Sequence, residues 1–128
     1  MEKIHNYMAE SLLSISPTAS ILEASHVMND NEIHSLLVEE AGEYIGIITN
    51  HDIGRKWVAE NLDLEKVQVA EVMSFPLIKL ESQESMEKAA QVMRDHAIHH
   101  LAVTEHGQML GTLSIHDYYK YLVLKHPK

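Results

Sequence analysis

Two short stretches carry the residues best suited to chemistry. In Gly46-Ile47-Ile48-Thr49-Asn50-His51-Asp52 and Gly111-Thr112-Leu113-Ser114-Ile115-His116-Asp117, a hydroxyl is followed three residues later by a carboxylate, with an imidazole just before it. Thr49 and Ser114 each stand where an aliphatic run gives way to a helical pattern, so each should end a strand and open a helix. Backbone N–H groups at such a junction lack helical partners and the helix dipole is positive there, which suits an anion or a ribose oxygen. The same spacing also makes a plain helix cap, the hydroxyl bonding the third amide and the carboxylate sitting well in the first turn. Both readings stay open, because a capping carboxylate keeps free lone pairs.

The other candidate chemistry is metal binding. His96, His99 and His100 lie close in sequence, and imidazole suits zinc, nickel or copper. Against it, His96 should end a helix while His99 and His100 point to alternate faces on entering a strand. No catalytic residue is expected: the chain shows no nucleophile set, no glycine-rich phosphate loop and no HExxH pattern.

These residues recur because the chain repeats. Residues 4–60 align without a gap on 69–125, an offset of 65. Met8 falls on Met73, Val27-Met28 on Val92-Met93, Ile33-His34 on Ile98-His99, Gly42 and Gly46 on Gly107 and Gly111, and His51-Asp52 on His116-Asp117. The expected division is 1–62 and 63–128, with Glu60–Lys66 a solvated linker.

Each copy predicts strand, helix, strand, strand, helix. Leu12–Ile15 and Leu77–Leu80 read as short strands. A helix follows from the capping box Ser20-Ile21-Leu22-Glu23 to about Asp30, and another from Ser85, where Lys88 replaces the glutamate and weakens the cap. Aliphatic runs at Ser35–Glu39 and His100–Glu105 then turn at a glycine into Tyr44–Thr49 and Met109–Ser114, forming hairpins. Helices Asn50–Ala59 and Ile115–Lys125 close the copies. The fold class is α+β, the two repeats being expected to pack sheet to sheet with pseudo-two-fold symmetry and to leave a cleft. Tyr118, Tyr119, Tyr121 and Leu122, with Trp57 as counterpart, are expected to pack against the partner repeat or a second subunit.

Composition removes other classes. Ten Lys and Arg against 19 Asp and Glu leave a net charge of −9, which opposes attraction to nucleic acid or an anionic membrane. Absent cysteine excludes disulfides and thiolate sites and fits a reducing cytosol; no apolar run is as long as a membrane span, and the start has no signal-like stretch. A cytoplasmic location is the expectation.

The paired Gly-x-h-[Thr/Ser]-x-x-Asp motifs, h being apolar, resemble those of tandem cystathionine-β-synthase (CBS) domains, the Bateman module. The lead-in segments Tyr7-Met8 and Val69-Ala70-Glu71-Val72-Met73-Ser74-Phe75-Pro76 resemble that family's opening Val-Met-Ser/Thr. The resemblance implies a regulatory module that binds AMP, ADP, ATP, S-adenosylmethionine or sometimes NAD in the cleft, dimerises, and signals through an effector protein without catalysing a reaction. It implies ligand contacts at Thr49, Asp52, Ser114 and Asp117; His51 and His116 are added as candidates because they directly precede the motif aspartates, within reach of such a ligand. His34, His99 and His100 join them by likeness to an Ile-His-Arg-Leu-Pro-Val pattern, although Ser35 and His100 stand where its arginine would be. Without that guanidinium fork a monophosphate, or an uncharged or cationic adenosyl ligand, is favoured over ATP. The alternatives carried forward are a histidine metal site and a purely structural dimerisation module.

Overall fold

The structure, a computed structural model, describes residues 2–128; Met1, within the first predicted repeat, lies outside them. The described residues adopt the expected α+β class, with two three-stranded sheets and four α-helices. The compact units are drawn differently from the two sequence repeats at 1–62 and 63–128. One unit is continuous, Leu13–Leu77, and the other is composite, joining the residues up to Leu12 to Ile78–Lys128.

The continuous unit runs β1 (Ser14–Ile15), α1 (Ile21–Asp30), β2 (Ser35–Glu40), β3 (Glu43–Thr49) and α2 (Asn50–Glu60), then a 3-10 turn at Val69–Glu71. Strand order is β1-β2-β3, with β1 parallel to β2 and β2 antiparallel to β3 from Ser35↔Thr49 to Glu40↔Glu43. Ala41 and Gly42, at φ 52° and 82°, make the two-residue hairpin turn, a left-handed pair whose twist suits the flanking strands. Ile21, Ala24 and Met28 recur at helical spacing on α1 and meet Leu36 and Val38 of β2 and Ile48 of β3, forming the core with Ile53 of α2.

The composite unit repeats this order with β4 (Lys79–Glu81), α3 (Met86–His96), β5 (His100–Glu105), β6 (Gln108–Ser114) and α4 (Ile115–Lys125). Its sheet order is β4-β5-β6, its hairpin turn is His106-Gly107, and its core gathers Met86, Ala89, Met93, Leu101, Val103, Leu113 and Tyr121. The opening strands are shorter than expected, Ser14–Ile15 in place of Leu12–Ile15 and Lys79–Glu81 in place of Leu77–Leu80. Ser20 and Ser85 each accept a third-residue amide, from Glu23 and Lys88, at 3.0 Å. That half of the cap needs only a backbone N–H, so Lys88 does not weaken it.

The unit boundaries shift because each lead-in segment docks on the sheet belonging to the other sequence repeat. Ser74 and Ile47 exchange backbone hydrogen bonds of 2.8 and 3.1 Å at the β3 edge, and Ala9 and Thr112 exchange two of 2.9 Å at the β6 edge. A free sheet edge offers unpaired N–H and C=O groups, and these segments satisfy part of it. Ile4, fully buried, enters the composite core along with the partly buried Tyr7 and Met8.

Two further expectations are corrected. Glu60–Lys66 is more than a solvated linker: Leu62 and Leu64 pack on the continuous core, and the Leu64 carbonyl accepts the Leu22 N–H at 3.0 Å. Tyr121 lies 4% exposed in its own unit's core, and Tyr118 packs beside it at 5.5 Å between rings, whereas Tyr119, Leu122 and Trp57 are exposed.

Candidate functional site

Register brings the candidate residues to one end of each sheet. In the continuous unit Thr49 ends β3 opposite Ser35, and the Asn50 amide that opens α2 donates to the His34 carbonyl at 3.0 Å. Thr49 Oγ1 accepts the Asp52 N–H at 2.9 Å, so the hydroxyl is the N-cap of α2. Asn50 Nδ2 lies 3.1 Å from His34 Nδ1. The Asp52 carboxylate, half-buried, faces the largely exposed Arg55 guanidinium one turn on at 3.7 Å. His51 is exposed on the same first turn.

The composite unit builds the equivalent end differently. Ser114, opposite His100, accepts the Asp117 N–H at 3.1 Å, while Asp117 Oδ2 accepts the Ser114 N–H at 2.9 Å, a full reciprocal capping box. The Ile115 amide donates to the His99 carbonyl at 2.8 Å. His99 and His116 are exposed and His100 half-buried. The capping reading of both motifs is therefore realised, and in each unit it leaves carboxylate lone pairs for a further donor.

Thus Thr49, His51, Asp52 and His34 gather at one end of the continuous unit's sheet, its rim, and Ser114, His116, Asp117, His99 and His100 gather at the equivalent rim of the composite unit's sheet. The three histidines weighed as metal ligands are not brought together as a ligand set. Among the described residues no group of three or more metal-ligating side chains is placed to hold an ion, and His96 Nδ1 sits 3.1 Å from the Val92 carbonyl on its own helix. Sequence reasoning missed Asn50 and Arg55. Their signal was present, one directly after the hydroxyl and the other three residues beyond the carboxylate, where a helix places neighbours.

The caps have unequal weight. Thr49 is 3% exposed and buries a methyl as well as bonding an amide, whereas Ser114 is half-buried. Thr49→Ala should destabilise by about 2 kcal/mol and Ser114→Ala by about 1 kcal/mol in urea denaturation, with Thr49→Ser intermediate.

A sequence profile of the CBS domain matches residues 4–57 and 69–124. The chain belongs to the CBS-domain family. Its two CBS repeats are similar to "CBS domain-containing protein YhcV" of Bacillus subtilis, 28% identical over 117 residues that cover 91% of this chain and 83% of that one. They also resemble an uncharacterised protein of Methanopyrus kandleri, MK0525, 31% identical over 104 residues. Those residues are 80% of this chain, but the match spans only 53% of MK0525. Among solved structures, the CBS domain pair of protein MJ0100 in complex with 5'-methylthioadenosine and S-adenosyl-L-methionine shares the fold at TM-score 0.81. The two are 23% identical, with 98% of this chain and 99% of that one covered. No helix among the described residues is long and apolar enough to cross a membrane.

Proposed function

We propose that this CBS pair is a cytoplasmic regulatory module that binds an adenosine-containing small molecule at its hydroxyl-carboxylate rims and reports occupancy to a partner protein, without catalysing a reaction. The observation that carries the reading is the rim itself: at Thr49 and again at Ser114, a helix N-terminus, a capping hydroxyl and a carboxylate with unused acceptor sites meet at one strand end. Ribose diols donate two hydrogen bonds in a fork that a carboxylate accepts, and the helix end favours an attached phosphate. MJ0100, a member of the same family, binds adenosyl compounds of this class.

The residues favour a small or weakly charged ligand over a triphosphate. Ser35 and His100 supply no guanidinium where the strand begins, and the chain carries a net charge of −9. Arg55, largely exposed, places a guanidinium beside Asp52 and suits a monophosphate. Exposed apolar side chains at equivalent positions, Trp57 and Val58 on α2, Leu122 and Val123 on α4, suit pairing of two copies into a homodimer.

Thermal-shift and calorimetric titration with AMP, ADP, ATP, S-adenosylmethionine and NAD tests the reading. At least one of these should stabilise the chain, and Asp52→Asn or Asp117→Asn should weaken its binding tenfold or more while keeping the fold. No response to any of the five, or binding untouched by both variants, overturns it.

A further inference from the structure

A groove lies in the composite unit, at the end of α4 far from Ser114. The groove, of about 580 Å³, is lined by Glu2 and Tyr7 of the lead-in segment, Glu87 in the first turn of α3, and Tyr121, Leu124 and Lys125 of α4. The Tyr121 hydroxyl donates to Glu87 Oε2. Lys125 Nζ stands 3.5 Å from the same oxygen and 5.6 Å from the Tyr121 ring centroid, over its face. The Tyr7 ring meets Tyr121 edge to face, centroids 5.3 Å apart. Glu87 Oε1 is buried and accepts no hydrogen bond of ordinary geometry.

Nothing in the fold demands this cluster. At the equivalent positions of the continuous unit, Glu87, Tyr121, Lys125 and Tyr7 are replaced by Leu22, Lys56, Glu60 and Val72. There the helix carries a plain Lys56–Glu60 ion pair at 3.2 Å. An electron-rich ring face beside a carboxylate is what an ammonium group seeks, and an ammonium already sits there, that of Lys125. Lys125 and Glu87 remain half exposed, so the internal pair is weak and open to exchange. The Tyr121 hydroxyl holds the Glu87 carboxyl below the usual range, keeping it charged, and the chain's net charge of −9 draws cations toward it.

We propose that this groove is a receptor for a small alkylammonium ligand, a primary diamine or polyamine, whose ammonium displaces Lys125 from between Tyr121 and Glu87. The ligand's methylene stem would lie along Leu124 and the tyrosine rings, as a lysine stem does on apolar surface. The proposal is independent of the adenosyl reading.

Titration of the full chain with cadaverine and spermidine, followed by NMR shifts of the tyrosine ring protons, tests it, with 1,5-pentanediol and matched sodium chloride as controls. Both amines should shift Tyr7 and Tyr121 saturably and the controls should not. Lys125→Met, an exposed change that leaves the core intact, should tighten binding at least threefold by removing the resident cation. Glu87→Gln should weaken it at least tenfold. Weaker binding in Lys125→Met, or Glu87→Gln binding as well as the parent, would show general attraction to an acidic surface and overturn the site. Absence of saturable shifts at millimolar amine overturns it as well.

Discussion

Gly111→Ala should cost roughly 3 kcal/mol, read as a fall in the urea midpoint at unchanged slope. Glycine to alanine within a strand or helix ordinarily stabilises by roughly 0.5–1 kcal/mol, because the unfolded chain loses freedom. Here the sign reverses. A Cβ on Gly111 would overlap the Ala9 carbonyl oxygen and stand 2.8 Å from Met8 Cε. The obstacle is backbone held by two hydrogen bonds to Thr112, so relief means parting the lead-in segment from β6 and losing both, at about 1 kcal/mol each. Gly46→Ala should behave similarly but more mildly, its Cβ falling 2.6 Å from the Ser74 carbonyl oxygen. Gly54→Ala is the internal contrast: it lies in α2 with nothing within 4 Å of the added carbon, and should stabilise by about 0.5–1 kcal/mol. Three identical chemical changes thus give two losses and one gain.

The second large effect concerns Ile4. Its side chain is fully buried in a core whose other buried members come from Met86 onward, so Ile4→Ala should cost about 3 kcal/mol. The loss should fall on the composite unit: amide exchange should quicken in β5 and β6 while β2 and β3 keep their protection. Removing residues 2–12 altogether takes away Ile4, the Tyr7 edge against Tyr121 and the Ala9 pairing. A chain beginning at Leu13 should show a folded Leu13–Leu77 unit and a largely unfolded remainder. If Ile4→Ala instead loosened both sheets equally, the assignment of the lead-in segment to the composite core would fail.

Much of this architecture was legible from side-chain pattern, because helices and hairpins announce themselves within a dozen residues. Ser20 and Ser85 mark helix starts, Gly42 and Gly107 mark turns, and α3 and α4 lie where periodicity puts them. Pairing of Ala9 with Thr112 leaves no such local trace; its one signal is a glycine inside a strand, which often means another backbone close by. Leu62 and Leu64 were masked by the charges around them, although their alternation in a polar stretch hinted at burial. The rims were readable because hydroxyl, spacer and carboxylate are contiguous in sequence. The tyrosine-glutamate-lysine cluster was not, since Tyr7, Glu87 and Tyr121 are brought together only by the packing of α3, α4 and the lead-in segment.

The composite unit also sets an order of events at the ribosome. Residues 13–77 can close their sheet as soon as they emerge, whereas Ile4 and His5 must wait for Glu84 and Ser82, and Ala9 for Thr112 of β6, about a hundred positions later. Until Met86 and the residues after it are made, Ile4 has no core to enter, so a nascent chain stalled before Met86 displays an apolar side chain that the finished molecule hides.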